Sequence, residues 1–121
     1  MDEVSVLVVD DQEAYRRVMA TVVEVTDGFT LAGSAASGEE AVALVRALHP
    51  QLVLMDVNLP GIDGVEAARR LCAAGDPPLV VLLSTYEEAE VDLGACGAAA
   101  YVPKRSFGPD RLVDCWSRAS V

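Results

Sequence analysis

Positive charge is scarce in this chain. Its 121 residues include 9 Lys and Arg against 19 Asp and Glu, a net charge of −10. Phosphate contacts need basic surface, so such a domain is not expected to bind nucleic acid itself. An acidic surface favours solubility, and clustered carboxylates can hold a cation. Histidine occurs once, and Cys72, Cys96 and Cys115 form no CxxC pair or His/Cys ligand spacing. That argues against a zinc site or disulfide framework and for free thiols in a reducing compartment. The N-terminus, MDEVSV, is acidic where a secretory signal is basic. No apolar run approaches the ~20 residues that span a bilayer. A soluble, cytoplasmic protein with no membrane contact is expected. Repeats, low-complexity tracts and interdomain linkers are also missing, and the length suits one domain over residues 1–121.

What is present is apolar and ordered. Hydrophobic residues make up 52% of the chain with few aromatics, as in a compact core of Val, Leu and Ala. Five short apolar runs read as strands: Val4–Val9, Phe29–Ala35, 52–55, 79–83 and 98–102. The runs 52–55 and 79–83 are continuous, as for strands covered on both faces. Helical periodicity fills most of the intervals. Ala14, Val18, Val22 and Val25 form a first stripe, with Tyr15, Met19 and Val23 beside it. Ala41, Leu44, Val45 and Leu48 form a second, opened by a Ser37/Glu40 capping box and closed at His49-Pro50. Val65, Ala68, Leu71 and Cys72 form a third, capped by Asp63. Leu112, Val113, Trp116 and Ala119 form the last, with Pro109 in its first turn. The acidic segment 86–93, bounded by Gly94, predicts a short or irregular helix. Five β/α repeats with short connections predict an α/β fold: a parallel sheet with helices on both faces.

The stretch LVLMDVNLPGIDG, residues 52–64, poses a physical problem. Four apolar residues run straight into Asp56, and a buried carboxylate is costly unless paired, hydrogen-bonded or metal-bound. In doubly wound folds the working site lies outside the carboxyl ends of the strands. The first strand ends in Asp10-Asp11, the third in Asp56, the fourth in Ser84-Thr85, and Lys104 follows the fifth. Three acids, hydroxyls and an amine therefore meet at one edge. The acids repel one another unless a cation intervenes. Mg²⁺ suits them, as a hard ion taking carboxylate, water and phosphate oxygens. Asp56, ionised beside the metal, can act as a nucleophile toward phosphorus. Lys104 and the Ser84 hydroxyl are placed for the phosphoryl oxygens, with a backbone N–H from Thr85 nearby.

The ordered set Asp10-Asp11, MDVNLPGIDG, Ser84 and Lys104 resembles the receiver domains of bacterial two-component response regulators, across essentially the whole chain. The resemblance implies a flavodoxin-like, doubly wound sheet with strand order 2-1-3-4-5. It implies Asp56 as phosphoacceptor, and Mg²⁺ held by Asp11, Asp56 and the Asn58 carbonyl, with Asp10 helping through water. Asn58, Ser84, Thr85 and Lys104 would contact the phosphoryl group. Tyr101 matches the aromatic switch position that turns inward when the Ser84 hydroxyl engages phosphate. The partners implied are a histidine kinase or histidine phosphotransfer protein, and a homodimer through a helical face is a further expectation. The domain would catalyse only its own phosphorylation and dephosphorylation.

The chain also departs from that pattern. Many receivers follow the lysine with proline; here Arg105 follows and Pro103 precedes. Receivers of helix-turn-helix transcription regulators often share this, so transcription is the output suggested. The interval from Ser84 to Lys104 is about two residues short for the family, consistent with the weak segment 86–93. Asn58 and Tyr86, each two residues beyond a site residue, are expected to tune dephosphorylation. Two other classes compete: an interaction module of the same fold that no longer needs phosphorylation, and a Mg²⁺-dependent phosphatase with an aspartate nucleophile. The phosphatase usually carries a second acid where Asn58 stands.

Overall fold

The computed structural model describes residues 3–85 and 96–119. Its five strands are β1 (Val4–Val9), β2 (Phe29–Ala35), β3 (Leu52–Asp56), β4 (Leu79–Ser84) and β5 (Ala100–Pro103). They form one parallel sheet in the order β2-β1-β3-β4-β5. The described helices are α1 (Glu13–Val25), α2 (Gly38–Leu48), α3 (Gly64–Cys72) and α4 (Pro109–Ala119). The expected helix over 86–93 lies outside the described residues, and so do Tyr86, Glu87 and Glu88.

Strand periodicity divides the core into two layers. Leu7, Val9, Val53, Met55, Val80 and Leu82 pack with Ala41 of α2 and Ala67, Ala68 and Leu71 of α3. Val6, Val8, Leu52, Leu54, Val81 and Leu83 pack with Met19 and Val23 of α1 and Leu112 and Cys115 of α4. Adjacent residues of each central strand therefore serve opposite faces. That is why the runs read as continuous rather than alternating.

Two helical stripes sit differently from the sequence expectation. On α1 the row Tyr15, Met19, Val23 faces the sheet, whereas Val18 is 47% and Val25 64% exposed. Both rows are apolar and adjacent, so periodicity could not say which one the sheet would take. On α4, Val113 of the expected stripe is exposed, and Cys115 is buried with Leu112.

Helix ends follow local chemistry. The Ser37 hydroxyl accepts the Glu40 N–H at 3.1 Å, while the Glu40 carboxylate accepts from Ala36 N–H rather than from Ser37. Asp63 accepts the Glu66 N–H at 2.8 Å, as its position implies. His49 closes α2 with φ 50°, at the end of the sheet opposite the strand mouths.

The strand bounds move at the functional edge. β3 and β4 each extend one residue beyond the apolar run, to include Asp56 and Ser84. β5 begins two residues later than expected and ends at Pro103. Gly97, at φ +81° and pressed against Cys72, holds a turn that any Cβ would obstruct, so pairing starts only after it. Pro103 is tolerated because β5 is an edge strand, paired with β4 alone.

Gly64 ties the fold to the site. Its N–H donates to the Val57 carbonyl at 2.8 Å, and a Cβ there would overlap the Asp56 carbonyl oxygen. Only glycine lets α3 start this close to the end of β3. Gly64→Ala should therefore lower the unfolding free energy by about 1–3 kcal/mol through overpacking. Gly75→Ala, where nothing lies within 4 Å, should change it by no more than about 0.5 kcal/mol. Urea unfolding of both variants checks the contrast.

Candidate functional site

Register brings the acids together. Val9 of β1 lies beside Met55 of β3, so the next residues, Asp10 and Asp56, come side by side at the carboxyl end of the sheet. Both are buried, at 0% and 4% exposure, and Asp11 beside them is exposed. One carboxylate oxygen from each of Asp10, Asp11 and Asp56 can be chosen so that all lie within 4.8 Å of one another.

Lys104 closes the group from beyond β5. Its Nζ donates to Asp10 Oδ2 at 2.6 Å and lies 3.5 Å from Asp56 Oδ2. The cation thus leans toward Asp10. Asp10 is held further by the Gln12 N–H on Oδ1 at 2.8 Å and by Arg16 Nη1 on its carbonyl at 2.8 Å. Asp56 has less support: the Asn58 N–H reaches its Oδ1 at 3.3 Å.

The electrostatics follow from that imbalance. Burial, and then the charge of Asp10, push the Asp56 carboxyl above the usual carboxylate range; Lys104 and the Asn58 N–H pull it back only in part. Tyr15, covered by the same group, is raised to about 12, first by burial and then by Asp10 and Asp56. Its phenol therefore stays protonated and remains a donor. Three carboxylates against one ammonium leave surplus negative charge on hard oxygen donors. Asp11 opens the cluster to solvent. That donor set fits Mg²⁺, which keeps part of its water shell when it binds carboxylates.

The remaining expected residues fall around this cluster with different roles. Ser84 is buried at the end of β4, in register with Pro103, the residue before Lys104. It lies one step beyond Leu83, which pairs with Asp56. Thr85 and Asn58 are exposed beside the strand mouths. Tyr101 is half-buried and packs against the core layer that α2 and α3 cover. Ser84 continues the Val80–Leu82 row of that same layer, so the two expected switch residues share a face. His49 lies at the far edge, away from the acids, and Cys72, Cys96 and Cys115 form no disulfide among the described residues.

Two contributors escaped the sequence reading, Tyr15 and Arg16, both in the first turns of α1. The pattern places Tyr15 in an apolar row of the first helix and gives Arg16 no role. Nothing in their spacing distinguishes a residue that covers a site across the fold from one that only packs.

Residues 6–116 match the model of the response regulator receiver domain. The chain belongs to this receiver family. It is 37% identical over 117 residues to the positive alginate biosynthesis regulatory protein of Pseudomonas aeruginosa, covering 96% of this chain and 47% of that protein. It is 40% identical over 103 residues to the response regulator GacA of Pseudomonas protegens, covering 84% and 48%. Among solved structures, the response regulator domain of Thermotoga maritima CheB superposes with a TM-score of 0.85 at 26% identity, covering 98% of each chain. The receiver spans about half the length of these two curated relatives. No helix among the described residues is long and apolar enough to cross a membrane.

The raised Asp56 carboxyl carries a stability consequence. An acid whose folded pKa lies above its unfolded one binds more protons in the native state, so stability falls as pH rises through that interval. The cost is fully present above the folded value and is relieved in acid. In metal-free buffer, Asp56→Asn should be more stable than the parent receiver at pH 8, with the difference shrinking as pH falls through the raised carboxylate range. Urea unfolding across pH with a chelator present measures it.

Proposed function

We propose that Asp56 is the phosphoacceptor of a Mg²⁺-dependent signalling switch, with residues 1–121 acting as one receiver domain. The observation that carries this reading is the buried Asp10–Lys104–Asp56 group, with Asp11 open beside it at the mouth of the sheet. Receivers of two-component systems take their phosphoryl group from histidine kinases. The donor proposed here is therefore a phosphohistidine on a kinase or phosphotransfer protein, in the cytoplasm.

The Asp56 carboxylate attacks phosphorus in line. An Oδ–P bond forms as the donor's N–P bond breaks, and the leaving imidazole nitrogen keeps the electron pair and takes up a proton. Asp10, Asp11, Asp56 and the Asn58 carbonyl are the residues that would hold Mg²⁺, which when bound neutralises charge on the phosphoryl oxygens. Lys104 balances Asp10 and Asp56 at rest and offers its ammonium to a phosphoryl oxygen afterwards. Its neighbouring anions keep it at the strand mouth, so little reorganisation is needed. Ser84 would donate its hydroxyl to another phosphoryl oxygen, and Thr85 its N–H.

Phosphate can shift a conformational equilibrium only by contacts it makes in one state and not the other. Ser84 and Tyr101, which share a face of the sheet, are the pair proposed to make that difference. The output is proposed to be transcriptional. The regulatory description of the alginate relative and the chain's half-length match to it support a receiver that controls a further domain.

Intact-protein mass after incubation with Mg²⁺ and acetyl phosphate tests the reading. A single phosphoryl adduct is expected, absent from Asp56→Asn and absent without metal. An adduct that survives in Asp56→Asn would place the acceptor elsewhere.

A further inference from the structure

Tyr15 makes two separate contacts with one residue across the fold. Its hydroxyl donates to the Lys104 carbonyl at 3.1 Å. Its ring lies beneath the Lys104 ammonium, with Nζ 4.4 Å from the ring centroid. The same carbonyl accepts the Phe107 N–H at 3.2 Å, which closes the short 3₁₀ turn Lys104–Ser106. Both the root and the tip of the lysine are therefore held from α1. Arg16, the next residue, holds the Asp10 carbonyl at 2.8 Å, so the start of α1 secures both partners of the 2.6 Å ion pair.

Packing alone does not require this arrangement. Nothing in the α1 core row calls for a hydroxyl, and burying a phenol is favourable only where its O–H finds an acceptor. Lysine, in turn, is a flexible stem bearing a compact charge, and its position is rarely defined by one ion pair. A ring face under the ammonium adds attraction without competing for the carboxylates.

We propose that Tyr15 is a positioning residue for phosphoryl transfer, clamping Lys104 by backbone and ammonium so that its charge rests between Asp10 and Asp56. The inference rests on Asp56 being the phosphoacceptor. The clamp predefines where the lysine meets a phosphoryl oxygen. Its loss slows phosphorylation by leaving the ammonium to be ordered during the reaction.

The test is the phosphorylation rate with saturating phosphoramidate and Mg²⁺ in Tyr15→Phe and Tyr15→Leu, each with Lys104 intact and with Lys104→Met. Losing the hydroxyl bond alone should slow Tyr15→Phe about threefold to tenfold. Losing the ring as well should slow Tyr15→Leu a further twofold to fivefold or so. Both effects should vanish with Lys104→Met, because residues that act through one another are non-additive. Equal fold losses in the two backgrounds, or no loss with Lys104 intact, would overturn the proposal. The shift of the Lys104 ε-methylene protons gives a second reading that needs no phosphorylation. The ring should move these signals upfield in the parent and in Tyr15→Phe but not in Tyr15→Leu. A parent that takes no phosphoryl group would sink the phosphoacceptor reading, and the ε-methylene signals would still decide the clamp. Unchanged signals in Tyr15→Leu overturn it. Should Tyr15→Leu not fold, absence of the upfield shift in the parent and Tyr15→Phe does the same.

Discussion

The ammonium of Lys104 allows two carboxylates to be buried side by side at the mouth of a parallel sheet. Without it, Asp10 and Asp56 would each carry a desolvation cost and repel the other, and one would keep its proton well above the ordinary range. With it, Asp10 is fully served by a 2.6 Å bond, whereas Asp56 is served only in part at 3.5 Å. The inequality has a chemical meaning. Asp10 is held from several sides and is suited to fixed electrostatic work. Asp56 keeps the less satisfied oxygens, and a new partner improves its surroundings.

The rest of the fold delivers that geometry. Parallel pairing sets Val9 beside Met55 and Leu83 beside Asp56, so the functional positions fall at one level of the sheet without any long loop. The strand interiors, buried on both faces, make the register costly to slip, because each shift would exchange the two core layers. Gly64 brings α3 against the Asp56 carbonyl, and Gly97 places the start of β5 so that its end delivers Lys104. Neither glycine carries a functional group, yet both help determine where the charged atoms sit.

The first helix does more than cover a face. Its core-facing row begins with the partly buried Tyr15 and continues into Met19 and Val23, so the residue that touches Lys104 is also the top of the core stripe. Stability and site geometry are coupled there through one side chain. The other apolar row of α1, including Val18 and Val25, stays largely exposed.

Much of this was legible from the amino-acid order. Continuous apolar runs ending in Asp10-Asp11, Asp56 and Ser84, followed by Lys104, define both the fold class and the composition of the site, because strand ends in a doubly wound sheet converge. Cap residues such as Ser37 and Asp63 act through neighbours a few positions away, so their roles were readable locally. Tertiary structure decided what depends on distant partners: which of two apolar rows on α1 meets the sheet, where β5 begins, and that Lys104 sits nearer Asp10 than Asp56. It also decided that Tyr15 serves the lysine 89 positions away. Linear spacing carries no record of such a contact, since it exists only once the sheet has brought β1, α1 and β5 to a common edge.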